Sequence, residues 1–158
     1  MNGFSLAYAA LFLSATAAGS AAAQASPRFR NPPTLSTPHG YSQLVEIPAG
    51  QRLVFLSGQV PLDSTGTLVG AGDFRAQARQ VFHNLRAGLA AVGATFSDVV
   101  KLNYYILDAR QLAVLREVRD QSMNTKSPPA STLVEVRRLF REDVILEVEA
   151  VAVAKPRD

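Results

Sequence analysis

The chain has 158 residues, 47% of them hydrophobic, and a formal net charge of +3, which suits one domain with a core of its own. It has no cysteine and two histidines, His39 and His83, set far apart; this excludes disulfides and cysteine–zinc sites and leaves no histidine-pair spacing for a metal. The arginines, among them Arg75, Arg79, Arg86, Arg110, Arg137, Arg138 and Arg141, are scattered with no interleaved aromatics. The mild basic excess therefore reads as a solvated surface and not as a nucleic-acid footprint.

Residues 1–25 carry no charged side chain. Leu6 to Leu13 form an apolar run, and Ala15 to Ala25 is small and alanine-rich. Ala21-Ala22-Ala23 and Ala23-Gln24-Ala25 each fit the small-x-small cleavage pattern of a secretory signal peptide. The run is too short for a membrane span, which takes about 20 apolar residues. Residues 1–25 thus read as a signal peptide, with a periplasmic or secreted product free of the membrane. Only the α-amino group is positive at the start, so the competing reading is an N-terminal extension on a cytoplasmic protein. Residues 26–38 hold four prolines and read as an extended, loose lead-in. Residues 39–158 read as a single domain with no internal repeat.

Leu44-Val45-Glu46-Ile47 and Arg52 to Ser57 read as two strands, and the turn Pro48-Ala49-Gly50-Gln51 between them predicts a hairpin. Asp63 to Gly72 is a loop. Phe74, Ala78, Val81, Leu85, Leu89 and Val92 recur at helical spacing, so an amphipathic helix runs from about Asp73 to its stop at Gly93. Its large apolar side chains, at about 1.5–3 kcal/mol each, drive it onto a sheet. Asp98 to Leu107 alternates as a strand, with Val100, Leu102, Tyr104 and Ile106 on one face and Val99, Lys101, Asn103 and Tyr105 on the other. Asp108 and Gln111 make a capping-box pattern for a second helix with Leu112, Leu115 and Val118 as its stripe, fading near Asn124. Pro128-Pro129 breaks the chain, and strands follow over about Ser131–Leu139 and Val144–Ala154.

The order β-β-α-β-α-β-β predicts an α+β fold, a mixed sheet covered on one face by two helices. Leu53, Phe55 and Tyr105 leave the other face apolar, which predicts that it packs within a closed oligomer. Glu147 and Glu149, two apart on one strand, share a face, and Glu135 on the preceding strand could approach it. These are either carboxylates for acid–base work or solvent-facing charges paired with Arg137 or Arg138. Lys101 could pair with Glu149 or Glu135, and His83 reads as a helix-surface residue.

Six segments occur in order over about residues 40–154: Gly40-Tyr41-Ser42-Gln43, Ser57-Gly58-Gln59-Val60-Pro61, Gln77 to Leu85, Val99-Val100-Lys101-Leu102-Asn103, Pro129-Ala130-Ser131-Thr132-Leu133-Val134-Glu135-Val136, and Glu147-Val148-Glu149-Ala150. Together they resemble the Rid (reactive intermediate deaminase, or YjgF) family. The resemblance implies a chorismate-mutase-like fold and a homotrimer with ligand clefts between subunits. It implies hydrolysis of reactive enamines and imines, such as 2-aminoacrylate and 2-iminobutanoate, to 2-keto acids and ammonia, with no cofactor.

By position it assigns the cleft to Tyr41, Ser57, Gly58 and Glu147, with Glu147 as the catalytic carboxylate. Tyr41 would stack on a ligand or pack at a subunit edge. Ser57 and Gly58 would offer a hydroxyl and an approachable N–H, or simply end a strand.

The departure is Ser131, which stands where active deaminases carry an arginine that clamps the substrate carboxylate. Serine offers one neutral bond where arginine offers two charge-assisted ones. Either Arg116, at a wall position often held by Asn, reaches in as a substitute, or it pairs with Asp120 and the ligand is not a carboxylate. Two functions follow: an imine deaminase, or a non-deaminating trimer of the same fold that binds a small molecule or a protein partner.

Overall fold

The computed structural model describes residues 26–155, so the signal-peptide reading of residues 1–25 lies outside the described residues. Strands β3 (Arg52–Gln59), β4 (Val99–Ile106), β5 (Ala130–Glu135) and β6 (Leu146–Ala154) form one sheet, and β1 (Arg28–Arg30) and β2 (Leu44–Glu46) form a small second one. Helices α1 (Phe74–Ala91) and α2 (Leu112–Asp120) complete the fold. The main sheet runs in the order β3-β6-β4-β5, antiparallel except for the β4–β5 pair. The expected mixed sheet with two helices is what the chain builds.

Helix α1 follows its apolar spacing. Asp73 caps it by accepting from Ala76 N at 3.0 Å, and Gly93, at φ +72°, turns the chain out of it. Phe74, Ala78, Val81, Leu85 and Leu89 are buried with Leu115 and Val118 of α2. Leu102, Tyr104 and Ile106 of β4 and Leu146, Val148, Ala150 and Ala152 of β6 meet them from the sheet. The alternation read in β4 holds, except that Val99 is also buried, where the β4–β6 register shifts. The other sheet face is open: Phe55 is 74% exposed and Leu53 is 45% exposed.

The expected hairpin between the first two strands does not form. β2 pairs instead with the proline-rich lead-in, antiparallel, with Arg28 opposite Glu46, while β3 pairs with β6. Arg30 Nη1 binds Glu46 Oε1 at 2.9 Å, and Asn31 and Ser36 accept from Gln43 N and Nε2. These contacts tie the lead-in down where the proline content alone suggested a loose chain. Gly50, at φ +80°, redirects the chain between β2 and β3.

Asp108 does cap, but into a short 3-10 turn over Ala109–Gln111, and α2 begins only at Leu112. The Asp108 carboxylate accepts from Arg110 N and Nε, so the capping box with Gln111 is not made. The last two strands are shorter than expected, and Gln77 fixes the chain just before the second of them. This fully buried side chain donates to Asp143 O at 2.8 Å and accepts from Ile145 N at 3.0 Å.

Candidate functional site

Two groups of residues gather, one on each face of the sheet. The first lies on the helix side. Ser42 is buried and bridges to Ala130; its N donates to Pro129 O at 3.0 Å and its Oγ to Pro128 O at 2.6 Å. This tether sets Tyr41 beside the start of β5. Ser131 pairs in register with Leu102, a core residue, so its side chain faces the helices. Tyr41, Ser131 and Arg116 line one cavity of about 250 Å³, together with Tyr104, Arg119 and Leu133.

Arg116 does not pair with Asp120. Its Nη2 donates to His39 O at 3.1 Å, which holds the guanidinium at the cavity. The partner of Asp120 is Arg119, through Nε at 2.8 Å and Nη2 at 2.7 Å. Arg119 is only 8% exposed and also donates from Nη1 to Gly40 O at 2.8 Å. Gly40 has φ +80°, and a Cβ there would lie 2.8 Å from Arg119 Nη2, so glycine lets the guanidinium pass beneath the chain. Tyr104 is 3% exposed. Burial pushes its phenol well above the usual range, opposed in part by the Arg119 charge. The Arg119 guanidinium lies close enough to act on the hydroxyl by charge and by hydrogen bonding, and the hydroxyl itself is closed off from solvent.

The second group lies on the open face. Glu147 stands opposite Tyr105 and Glu149 opposite Asn103. Glu149 accepts from Asn103 Nδ2 at 3.2 Å and from Tyr105 Oη at 3.0 Å. The Tyr105 phenol is raised, first by that bond. Glu147 is half-buried beside Gly58, where a Cβ would come within 2.7 Å of its Cδ. Its carboxyl is raised above the usual carboxylate value by burial and then by the Glu149 charge. A shallow groove runs past it, lined by Tyr105, Arg138, Phe140, Glu147 and Glu149. Ser57 is exposed at the irregularity between Leu56 and Gln59 in the β3–β6 pairing.

Several neighbours differ from the sequence reading. Glu135 lies on the opposite face from Glu147, because it pairs in register with Ile106, and it accepts from Ala109 N. Lys101 donates to Thr132 Oγ1 at 2.7 Å and not to a glutamate. Among the described residues neither Arg137 nor Arg138 forms an ion pair with Glu147 or Glu149. His83 is exposed on α1.

Within one chain, then, Tyr41, Arg116 and Ser131 come together, and Gly58 and Glu147 come together with Ser57 nearby, but the two sets do not meet. Sequence reasoning missed Arg119 and Tyr104. Arg119 stood in plain view four residues after Leu115, on the apolar stripe, where a charge must have a partner. Among the described residues no group of three or more His, Asp or Glu is placed to hold a metal, and no helix is long and apolar enough to cross a membrane.

A family profile described as Endoribonuclease L-PSP matches residues 33–154. A RutC family protein of Pyrococcus horikoshii is 42% identical over 113 residues, covering 71% of this chain and 85% of its own. A 2-iminobutanoate/2-iminopropanoate deaminase of Salmonella typhimurium is 36% identical over 106 residues, covering 65% of this chain and 80% of its own. Among solved structures, a Rid family protein from Yersinia pestis superposes with a TM-score of 0.72 at 32% identity, covering 82% of this chain and 99% of its own. With the profile spanning most of the chain and the fold shared, the protein belongs to the Rid/YjgF/RutC family.

Proposed function

We propose that the chain hydrolyses small 2-imino and enamine compounds to 2-oxo compounds and ammonia, at clefts between the subunits of a homotrimer. The observation that carries this is the carboxylate of Glu147 seated over Gly58 on an open, apolar sheet face. A second subunit laid on that face would cover Phe55 and Leu53. It would also bring its own cavity, with Tyr41, Arg116 and Ser131, toward the carboxylate of its neighbour. The deaminase name of the Salmonella typhimurium relative supports the same chemistry.

The chemistry needs a protonated imine, a water and one group to move a proton. Glu147 accepts a proton from water as the water oxygen bonds to the imine carbon, giving a carbinolamine. The carboxyl then returns the proton to nitrogen, the C–N bond breaks, and ammonia leaves as the carbonyl forms, the hydroxyl proton passing through the Glu147 carboxylate to the departing ammonia. A carboxylate held above its ordinary value by burial takes the proton from water more readily than a fully solvated one. No cofactor enters these steps.

Ser131 supports a second reading, a trimer that binds a small molecule or protein partner without deaminating. The two are separated by adding the purified full chain to freshly generated 2-iminobutanoate. Hydrolysis above the buffer rate that is lost in Glu147→Gln supports the deaminase. An inactive wild type with activity gained in Ser131→Arg supports the second reading. Single-stranded RNA is the control for the endoribonuclease of the family description. We also propose that residues 1–25 direct export; cell fractionation that leaves the full-length chain in the cytoplasm would refute it.

A further inference from the structure

The open sheet face sets two carboxylates side by side and treats them differently. Glu147 stands opposite Tyr105 in register, and Glu149 opposite Asn103. The Tyr105 hydroxyl does not bond the acid it faces. It reaches the diagonal neighbour, a separation that an aromatic side chain spans, and donates to Glu149 Oε2 at 3.0 Å. Asn103 Nδ2 donates to the same oxygen at 3.2 Å. Both donors from β4 thus converge on one oxygen of Glu149, and among the described residues no donor reaches Glu147.

The surroundings leave that contrast standing. Around Glu147, β3 presents Gly58, while β4 presents Tyr105 and β6 presents Glu149. Arg138 lies along the same groove, but among the described residues it forms no ion pair with either acid. Lys101, farther along β4, is turned to Thr132. Neighbouring carboxylates disfavour each other's ionised form, whereas hydrogen bonds to a carboxylate favour it. Two equivalent acids would share one proton between them. Here the two bonds break the equivalence, and they fall on the acid that does not border Gly58.

We propose that Glu149 is a positioning residue that acts through Glu147: pinned by Asn103 and Tyr105, it remains the fixed anion, and Glu147 alone carries protons. The proton leaves water for Glu147 and passes on to nitrogen, and Glu149 exchanges none. Burial and then the Glu149 charge strengthen the hold of Glu147 on its proton, which makes it the better base. The inference rests on the deaminase reading, because it gives Glu149 a part in that reaction, but the division between the two acids is measurable without turnover.

The test is a carboxyl NMR titration of the full chain carrying 13C-labelled glutamate, in wild type, Glu149→Gln and Tyr105→Phe. Glutamine keeps an oxygen for Asn103 and Tyr105 and removes only the charge. In wild type, Glu147 is expected to be the last glutamate to lose its proton as pH rises. In Glu149→Gln its titration is expected to move to lower pH, with the melting temperature unchanged or higher. The acidic limb of kcat against pH for 2-iminobutanoate is expected to move with it, while KM changes by no more than about twofold. The kcat is expected to fall about three- to tenfold. That is a fraction of the loss in Glu147→Gln, which gives up a whole proton-transfer contribution of about 10²–10⁴. Tyr105→Phe, which frees the Glu149 carboxylate but keeps its charge, is expected to lower kcat by a smaller factor. A merely structural Glu149 would instead lower the melting temperature and leave the titration and the limb in place.

An unmoved Glu147 titration in Glu149→Gln, another glutamate titrating last in wild type, or equal rate losses in Glu149→Gln and Glu147→Gln would overturn the proposal. The wild-type order decides even where a variant fails to fold. Imine hydrolysis with the titration unmoved would end this inference and keep the deaminase reading. A moved titration in a protein that hydrolyses no imine would end the deaminase reading and keep the division between the two acids.

Discussion

The carboxylate of Glu147 occupies the space that a side chain on residue 58 would need. A Cβ at Gly58 would fall within 2.7 Å of Glu147 Cδ and 3.0 Å of its Cγ. The backbone there does not require glycine through a positive φ; the requirement comes from the acid alone.

Gly58→Ala therefore separates placement from stability. The methyl group meets the far end of a flexible side chain, so the carboxylate swings aside at little cost to the fold. Imine hydrolysis is expected to fall about a hundredfold, as misplacing a reacting group by about 1 Å can do. The thermal midpoint is expected to shift by only a few degrees, roughly the effect of a change under 1 kcal/mol. Paired kcat and calorimetric measurements check this; unchanged kcat would show that the position of the acid is immaterial.

The pH dependence of stability tests the environment of Glu147. Burial and then Glu149 raise its carboxyl above the ordinary value. The folded protein thus holds that proton more tightly than the unfolded chain. Its contribution to stability is present at low pH, declines as pH rises from the unfolded value to the folded one, and stays lost above that. Glu147→Gln removes the penalty, so the variant is expected to be at least as stable as wild type at neutral pH. That advantage should vanish below the ordinary carboxylate range. Urea melts across pH measure it, and an advantage that grows on acidification would contradict the assignment.

Assembly through the open sheet face predicts the behaviour of Phe55, which is 74% exposed in the single chain. Phe55→Glu places a charge where the proposed trimer excludes water. Light scattering is expected to show the mass fall from trimer to monomer, with imine hydrolysis lost and the circular dichroism spectrum retained. A wild-type monomer at micromolar concentration would remove the composite cleft altogether.

Ser42 anchors the segment that carries Tyr41. Ser42→Ala leaves Pro128 O without the 2.6 Å bond it now accepts. The expected loss is about 1–3 kcal/mol in chemical denaturation, together with slower hydrolysis of 2-iminobutanoate as Tyr41 loosens. An unchanged rate in the destabilised variant would show that the tether serves the fold only.

Where local periodicity governs, the fold was readable in advance. The α1 stripe and the β4 alternation each place most of their own core, because the covered face repeats at fixed spacing. Pairing between distant segments was not readable. The turn at Gly50 suggested a hairpin, yet β2 is taken by Arg28–Arg30, an arginine-flanked triplet with no strand pattern of its own. Strand alternation allows Glu135 to approach the face of Glu147, but a parallel register with Ile106 puts it on the other side. Tyr104 is legible as a core residue; that its hydroxyl ends beside Arg119 follows only from how α2 docks.

Gln77, in the first turn of α1, links that helix to the start of β6 through both halves of its amide. Glu147 lies only two residues beyond Ile145, the backbone group that this amide holds. The position of the carboxylate is thereby tied to the helix as well as to the sheet, so a sideways drift or rotation of α1 is expected to carry it along. If Glu147 is the reacting acid proposed above, substitutions on the buried stripe of α1 are expected to change the rate without touching a residue of the proposed cleft.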